Sequence, residues 1–168
     1  MKPIPGGRAE QTARAPEIAP AVLALERFLP YRLSVLMNRV STAIAAAYAR
    51  RFRLTVAEWR VIAVIGRFGA MPASAVCGRT AMDKVRVSRA VARLIRSGRL
   101  VRRSDADDRR RALLALTAAG RAVYDEIGPH ALAVEARLLE PLSVADRADL
   151  ERLLGKLEAS AATAFAEE

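Results

Sequence analysis

The strongest constraint on the fold is a change of periodicity between Asp83 and Gly120. Asp83 is an N-cap residue type. The stretch after it, "KVRVSRAVARLIRS", repeats Val87, Val91, Leu94 and Ile95 at helical spacing until Gly98 supplies a C-terminal stop. Two short segments follow, "RLVRRS" and "RALLAL". Both are of strand length, and the residues between them are strongly polar. Six of the seven residues from Asp105 to Arg111 are charged, and the last three are consecutive arginines. A helix followed at once by two strand-length segments predicts a hairpin packed beside that helix. The alternation in "ALLAL" is imperfect, so this expectation rests on the pairing of the segments more than on their periodicity.

The rest of the chain reads as helices. From Pro30 to Arg51 apolar residues recur at Leu33, Leu36, Met37, Val40, Ile44 and Tyr48, a single buried stripe, with Pro30 suited to the first helical position. "TVAE" at 55–58 has the form of a capping box. The helix it opens runs to about Arg67 with Trp59, Ile62, Ala63 and Ile65 or Gly66 toward a core, and Gly69 stops it. A short helix is expected from about Pro72 to Arg79. Thr117 caps a long helix in which Gly128-Pro129 predicts a kink. Ser143, with Asp146 three residues on, opens the last helix. Residues 1–20, rich in Pro, Gly and charge, read as a flexible arm.

Charge is distributed unevenly along this plan. The formal net charge is +10; residues 50–111 hold 17 Lys+Arg against 5 Asp+Glu, and the remainder 11 against 13. The middle of the chain is therefore at +12 and its flanks together at −2. Such an asymmetry is the footprint of a module that meets a polyanion. A genome that favours arginine is the plainer reading, but it does not explain why the flanks are spared.

Two short helices before a third with a basic face form a helix-turn-helix pattern. A B-DNA major groove admits one such helix, whose exposed side chains reach base edges. On 84–96 those side chains are Lys84, Val85, Arg86, Ser88, Arg89 and Arg93. Arg86 and Arg89 suit guanine acceptors, Val85 a thymine methyl, and Ser88 a base edge or phosphate. A solvated basic face is the competing reading. The hairpin favours the first, because a charged tip beside the duplex finds the negative potential of a narrow minor groove. The acids in that tip hold the guanidiniums in fixed rotamers by charge-assisted bonds.

The stretch 54–120 resembles the MarR family of bacterial winged-helix regulators. The resemblance is carried by "LTVAEWRVIAVIGRFG", "MDKVRVSRAVARLIRSGRLVRR" and "DADDRRRALLALTAAG". In the last of these, Asp105, Asp108, Arg109, Arg110, Thr117 and Gly120 stand at the family's positions. The implied fold is mainly α: a winged helix-turn-helix at 54–117 with a two-stranded β-hairpin wing. Dimerisation helices flank it at 21–53 and 118–168. The resemblance implies a homodimer on double-stranded DNA, and the many leucines of the flanks, Leu132, Leu138, Leu150, Leu153, Leu154 and Leu157 among them, agree. It also implies that Asp108 orients Arg110, that Arg110 enters the minor groove, and that Arg109 and Arg111 meet phosphates. Relatives bind small aromatic acids between the dimerisation helices and the DNA module. The residues this chain offers for an aromatic carboxylate are Tyr31, Arg32, Asn38, Trp59, Arg60 and His130.

Other classes of function find little support. The chain lacks H-E-x-x-H, G-x-S-x-G and a phosphate-cradling glycine loop, and it has one His and one Cys. No catalytic residue, metal site or cofactor is expected. Cys77 reads as packing filler more than as a redox sensor. No apolar run is long enough to cross a membrane, and the first residues lack a signal-peptide core, so a cytoplasmic protein is expected. Two readings remain: a sequence-specific, ligand-responsive transcriptional regulator of the repressor type, or a basic architectural DNA-binding protein without a regulatory ligand.

Overall fold

The structure, a computed structural model, describes residues 23–104 and 112–164. The chain divides into two units, 1–36 and 37–168. In the first, a turn at 25–27 leads into helix α1 (Leu29–Phe52), with the Phe28 amide donating to the Ala24 carbonyl at 3.0 Å. Pro30 lies in the first turn of α1, where its missing N–H has no helical partner to lose.

The second unit takes in the rest of α1 and seven further elements. These are α2 (Val56–Phe68), α3 (Ala73–Thr80), α4 (Lys84–Arg96), β1 (Leu100–Ser104), β2 (Ala112–Leu116), α5 (Ala118–Leu139) and α6 (Val144–Ala164). Local chemistry fixes most of the helix starts. Thr55 and Glu58 form the reciprocal capping box, Asp83 accepts from the Arg86 amide at 2.7 Å, and Thr117 accepts from the Gly120 amide at 3.1 Å. Ser143 and Asp146 reproduce the box at α6. Gly69 and Gly98 close α2 and α4 at positive φ, where a side chain would be strained. Pro129 sits inside α5, which continues on both sides of it.

β1 and β2 pair antiparallel, Leu100 opposite Leu116 and Ser104 opposite Ala112. Leu114 also exchanges two backbone bonds with Met71, at 2.8 and 3.1 Å, which ties the hairpin to the segment between α2 and α3. This extra bridge has no counterpart in the sequence pattern. The result is a mainly α winged helix with a two-stranded wing, as the sequence leads one to expect.

The core lies under the wing. It is built from Val61, Ile62 and Ile65 of α2, Val76 of α3, Val87, Ala90, Val91 and Leu94 of α4, Leu100 and Leu114 of the wing base, and Val123 and Ile127 of α5. Tyr48 and Leu54 close it from the α1 side. The buried face of α2 differs from the expected one. Val61 and Glu58 are buried, whereas Trp59 and Ala63 are only half-buried. α2 packs against α3, α4, α5 and β2 together, so its buried arc is wider than one amphipathic stripe. By contrast, α6 buries none of its residues.

Candidate nucleic-acid interface

α4 is the element with two distinct faces. Val87, Ala90, Val91 and Leu94 point into the core, which leaves Lys84, Val85, Arg86, Ser88, Arg89 and Arg93 exposed on the outer surface. Val85 is 59% exposed, so an apolar side chain stands in water at the start of a helix whose interior face is already filled. The Asp83 cap orients this N-terminal turn.

The wing runs beside that face. Arg102 of β1, paired with Leu114, shares a cleft of about 350 Å³ with Lys84 and Ser88 of α4. Sequence reasoning did not single out Arg102. Arg102 shares its strand face with buried Leu100, and its exposure comes from its place further along β1, where Arg102, Arg103 and Ser104 are all exposed. The four wing residues Asp108, Arg109, Arg110 and Arg111 lie outside the described residues.

Arg93 is placed differently from its neighbours. Its Nε donates to Oε1 of Glu58 at 2.8 Å, and Glu58 is 3% exposed. The second carboxylate oxygen accepts from the Thr55 amide at 2.7 Å and from the Thr55 hydroxyl at 2.9 Å. Glu58 enters the sequence analysis only as the far half of a helix cap. Its contact with α4 spans 35 residues and leaves no local trace.

The six residues named for an aromatic acid do not form one site in the second unit. Asn38 and Arg60 line a common cleft of about 570 Å³ with Ser41, Thr42 and Arg86. Trp59 faces a separate, mostly apolar cleft of about 490 Å³ with Ile44, Tyr124 and Leu132. Consecutive residues on a helix diverge by about 100°, so Trp59 and Arg60 cannot line one wall together. His130 is exposed on α5 and lines neither cleft. Tyr31 and Arg32 are exposed on the first turn of α1, in the first unit.

Trp59 instead joins an aromatic row. It stands 5.8 Å from Tyr48 and is stacked at 6.3 Å on Tyr124. Burial raises the Tyr48 hydroxyl above its ordinary value, and the Arg60 charge works against that rise. Cys77 of α3 is half-buried and lines the cleft that Lys84, Ser88 and Arg102 share. Among the described residues, no helix is long and apolar enough to cross a membrane.

This arrangement recurs among known proteins. A family model described as the MarR family matches residues 54–111. No curated protein matches the chain. Among solved structures, a probable transcriptional regulator from Pseudomonas aeruginosa is 30% identical, with a TM-score of 0.66 over 79% of this chain and 98% of that one. A MarR/EmrR family transcriptional regulator from Acinetobacter sp. ADP1 is 25% identical, with a TM-score of 0.76 over 83% and 98%. BpsR from Bordetella bronchiseptica, whose DNA binding is regulated by 6-hydroxynicotinic acid, is 26% identical, with a TM-score of 0.69 over 79% and 94%. A capped helix with an outward basic face, a paired wing at its C-terminal end and these likenesses together lead to one conclusion: the chain belongs to the MarR family of DNA-binding transcriptional regulators.

Proposed function

We propose that the protein is a sequence-specific repressor in the cytoplasm that binds a pseudo-palindromic operator as a homodimer and is released by a small aromatic acid. The observation that carries the DNA side is the outer face of α4, where Arg86 and Arg89 stand beside an exposed Val85 on a helix whose other face is anchored in the core. Arg86 and Arg89 reach guanine edges, Val85 meets a thymine methyl, and Lys84 and Ser88 serve bases or phosphates. In the wing, Asp108 orients Arg110 into the minor groove while Arg109 and Arg111 hold phosphates.

The pairing side rests on α6, whose Leu150, Leu153, Leu154 and Leu157 are all exposed at helical spacing. The effector side rests on the cleft of Asn38 and Arg60. Arg60 suits a carboxylate there, and Arg86 of α4 lines the same cleft, so a bound acid competes with DNA for the position of α4. The regulation of BpsR by 6-hydroxynicotinic acid, an aromatic acid, supports the class of ligand.

Competition binding tests the reading. A specific regulator prefers its selected site over unrelated duplex by about a thousandfold or more. Equal affinity for both describes an architectural DNA-binding protein instead. Arg110→Ala is expected to weaken binding by more than about tenfold at matched salt with the dimer intact, because it removes a minor-groove contact. An unchanged dissociation constant refutes that role. For the effector, pyridine and benzoate carboxylates are expected to raise the melting temperature of the protein but not of Arg60→Ala.

A further inference from the structure

α2 and α4 meet at a carboxylate that the helix cap alone does not explain. Among the described residues Glu58 is the one charged side chain in the core. A capping box needs one acceptor at this position, which Oε2 supplies, and a glutamine at the surface meets that need equally well. Burial and the second oxygen are left over. A carboxylate withdrawn from water is costly unless it is paired, and the pairing comes from Arg93 through its Nε.

Arg93 is not itself buried. Its side chain is 54% exposed, and it follows Arg86 and Arg89 at helical spacing along the same stripe of α4. Together with Val85 these three arginines wall a cleft of about 270 Å³ that contains Glu58. A guanidinium gripped at Nε has lost its rotational freedom and turns its outer edge away from the carboxylate.

We propose that Glu58 is a positioning residue for DNA binding: it locks Arg93 so that the outer edge of the guanidinium meets a backbone phosphate beside the bases that Arg86 and Arg89 reach. This rests on the reading of α4 as the helix that enters the groove. The ion pair thereby links the seating of α4 on α2 to a phosphate contact, so that the register of the helix on DNA is set from within the core.

The test uses the full chain and a duplex recovered by selection from a random-sequence pool. Glu58→Gln keeps an acceptor for Thr55 and removes the charge that holds Arg93. It is expected to weaken binding by about fivefold and to make the slope of log affinity against log salt shallower by about 0.9, the loss of one phosphate contact. Arg93→Ala is expected to do the same, and the double variant to add nothing further. If Arg93→Ala unfolds because it leaves a buried charge unpaired, the double variant, which has no such charge, is compared directly with Glu58→Gln. A Glu58→Gln protein that melts earlier yet keeps the wild-type salt slope overturns the proposal, as do additive effects in the double variant. Were Arg86→Ala and Arg89→Ala also without effect, the placement of α4 in the groove would be the part that failed.

Discussion

Gly120 occupies the first turn of α5, where an added Cβ would run into the carbonyl oxygen of Arg99. That carbonyl accepts from the Thr117 amide, and the Thr117 hydroxyl donates to the Gly98 carbonyl at 2.7 Å. The approach is backbone against backbone, so nothing flexible can give way. Gly120→Ala is expected to cost about 1–3 kcal/mol of stability, the range for overpacking a tight site. Gly78, on α3, meets nothing within 4 Å, and Gly78→Ala is expected to gain about 0.5–1 kcal/mol through helix propensity. Denaturant unfolding checks both. Equal effects from the two substitutions would mean that the close approach at Gly120 is absent. Glu58 makes a similar point about placement. As a cap it is ordinary, and its partner on another helix is what gives it a further consequence.

Helix α6 depends at its start on a short polar device. The Asp146 carboxyl accepts from the Ser143 hydroxyl and amide, and these bonds hold its pKa below the ordinary value. A depressed folded value means that the capped form is favoured above the unfolded value and is lost as pH falls through the folded one. Ser143→Ala is expected to return the Asp146 titration toward an ordinary carboxylate, read by carboxyl-carbon NMR. An unmoved titration contradicts the cap. Devices of this kind were legible in the sequence because they act over three residues: Thr55, Asp83, Thr117 and Ser143 all stand where the pattern places a helix start. Contacts between distant segments were not legible. The Met71–Leu114 bridge, the Arg99 guanidinium on the Phe52 carbonyl at 2.9 Å and the Glu58–Arg93 pair each join residues far apart in the chain. Val61 was missed because α2 is covered on several sides, and an amphipathic stripe marks only one. Trp59 and Arg60 each suit an aromatic acid by residue type, but as neighbours on one helix they point about 100° apart and face different clefts.

At the scale of the molecule, the flanking helices leave leucines uncovered among the described residues: Leu132 and Leu138 of α5 and the four leucines of α6 are exposed. A two-fold pairing of the flanking helices would cover them and set two copies of α4 side by side. The double variant Leu153→Glu, Leu157→Glu is expected to sediment as a monomer, keep its helix content and bind duplex far more weakly than the parent chain. A parent chain that is itself monomeric at micromolar concentration would contradict this arrangement. The charge pattern fits the same plan. The +12 of residues 50–111 falls on the segment proposed to meet DNA, and the flanks, at −2 together, carry little net charge to oppose their association.

Selection of bound duplex from a random-sequence pool tests the central claim most directly. Two copies of α4 related by a two-fold axis predict an inverted repeat with half-site centres about one helical turn apart. A single asymmetric site, or no enrichment over the starting pool, would contradict it.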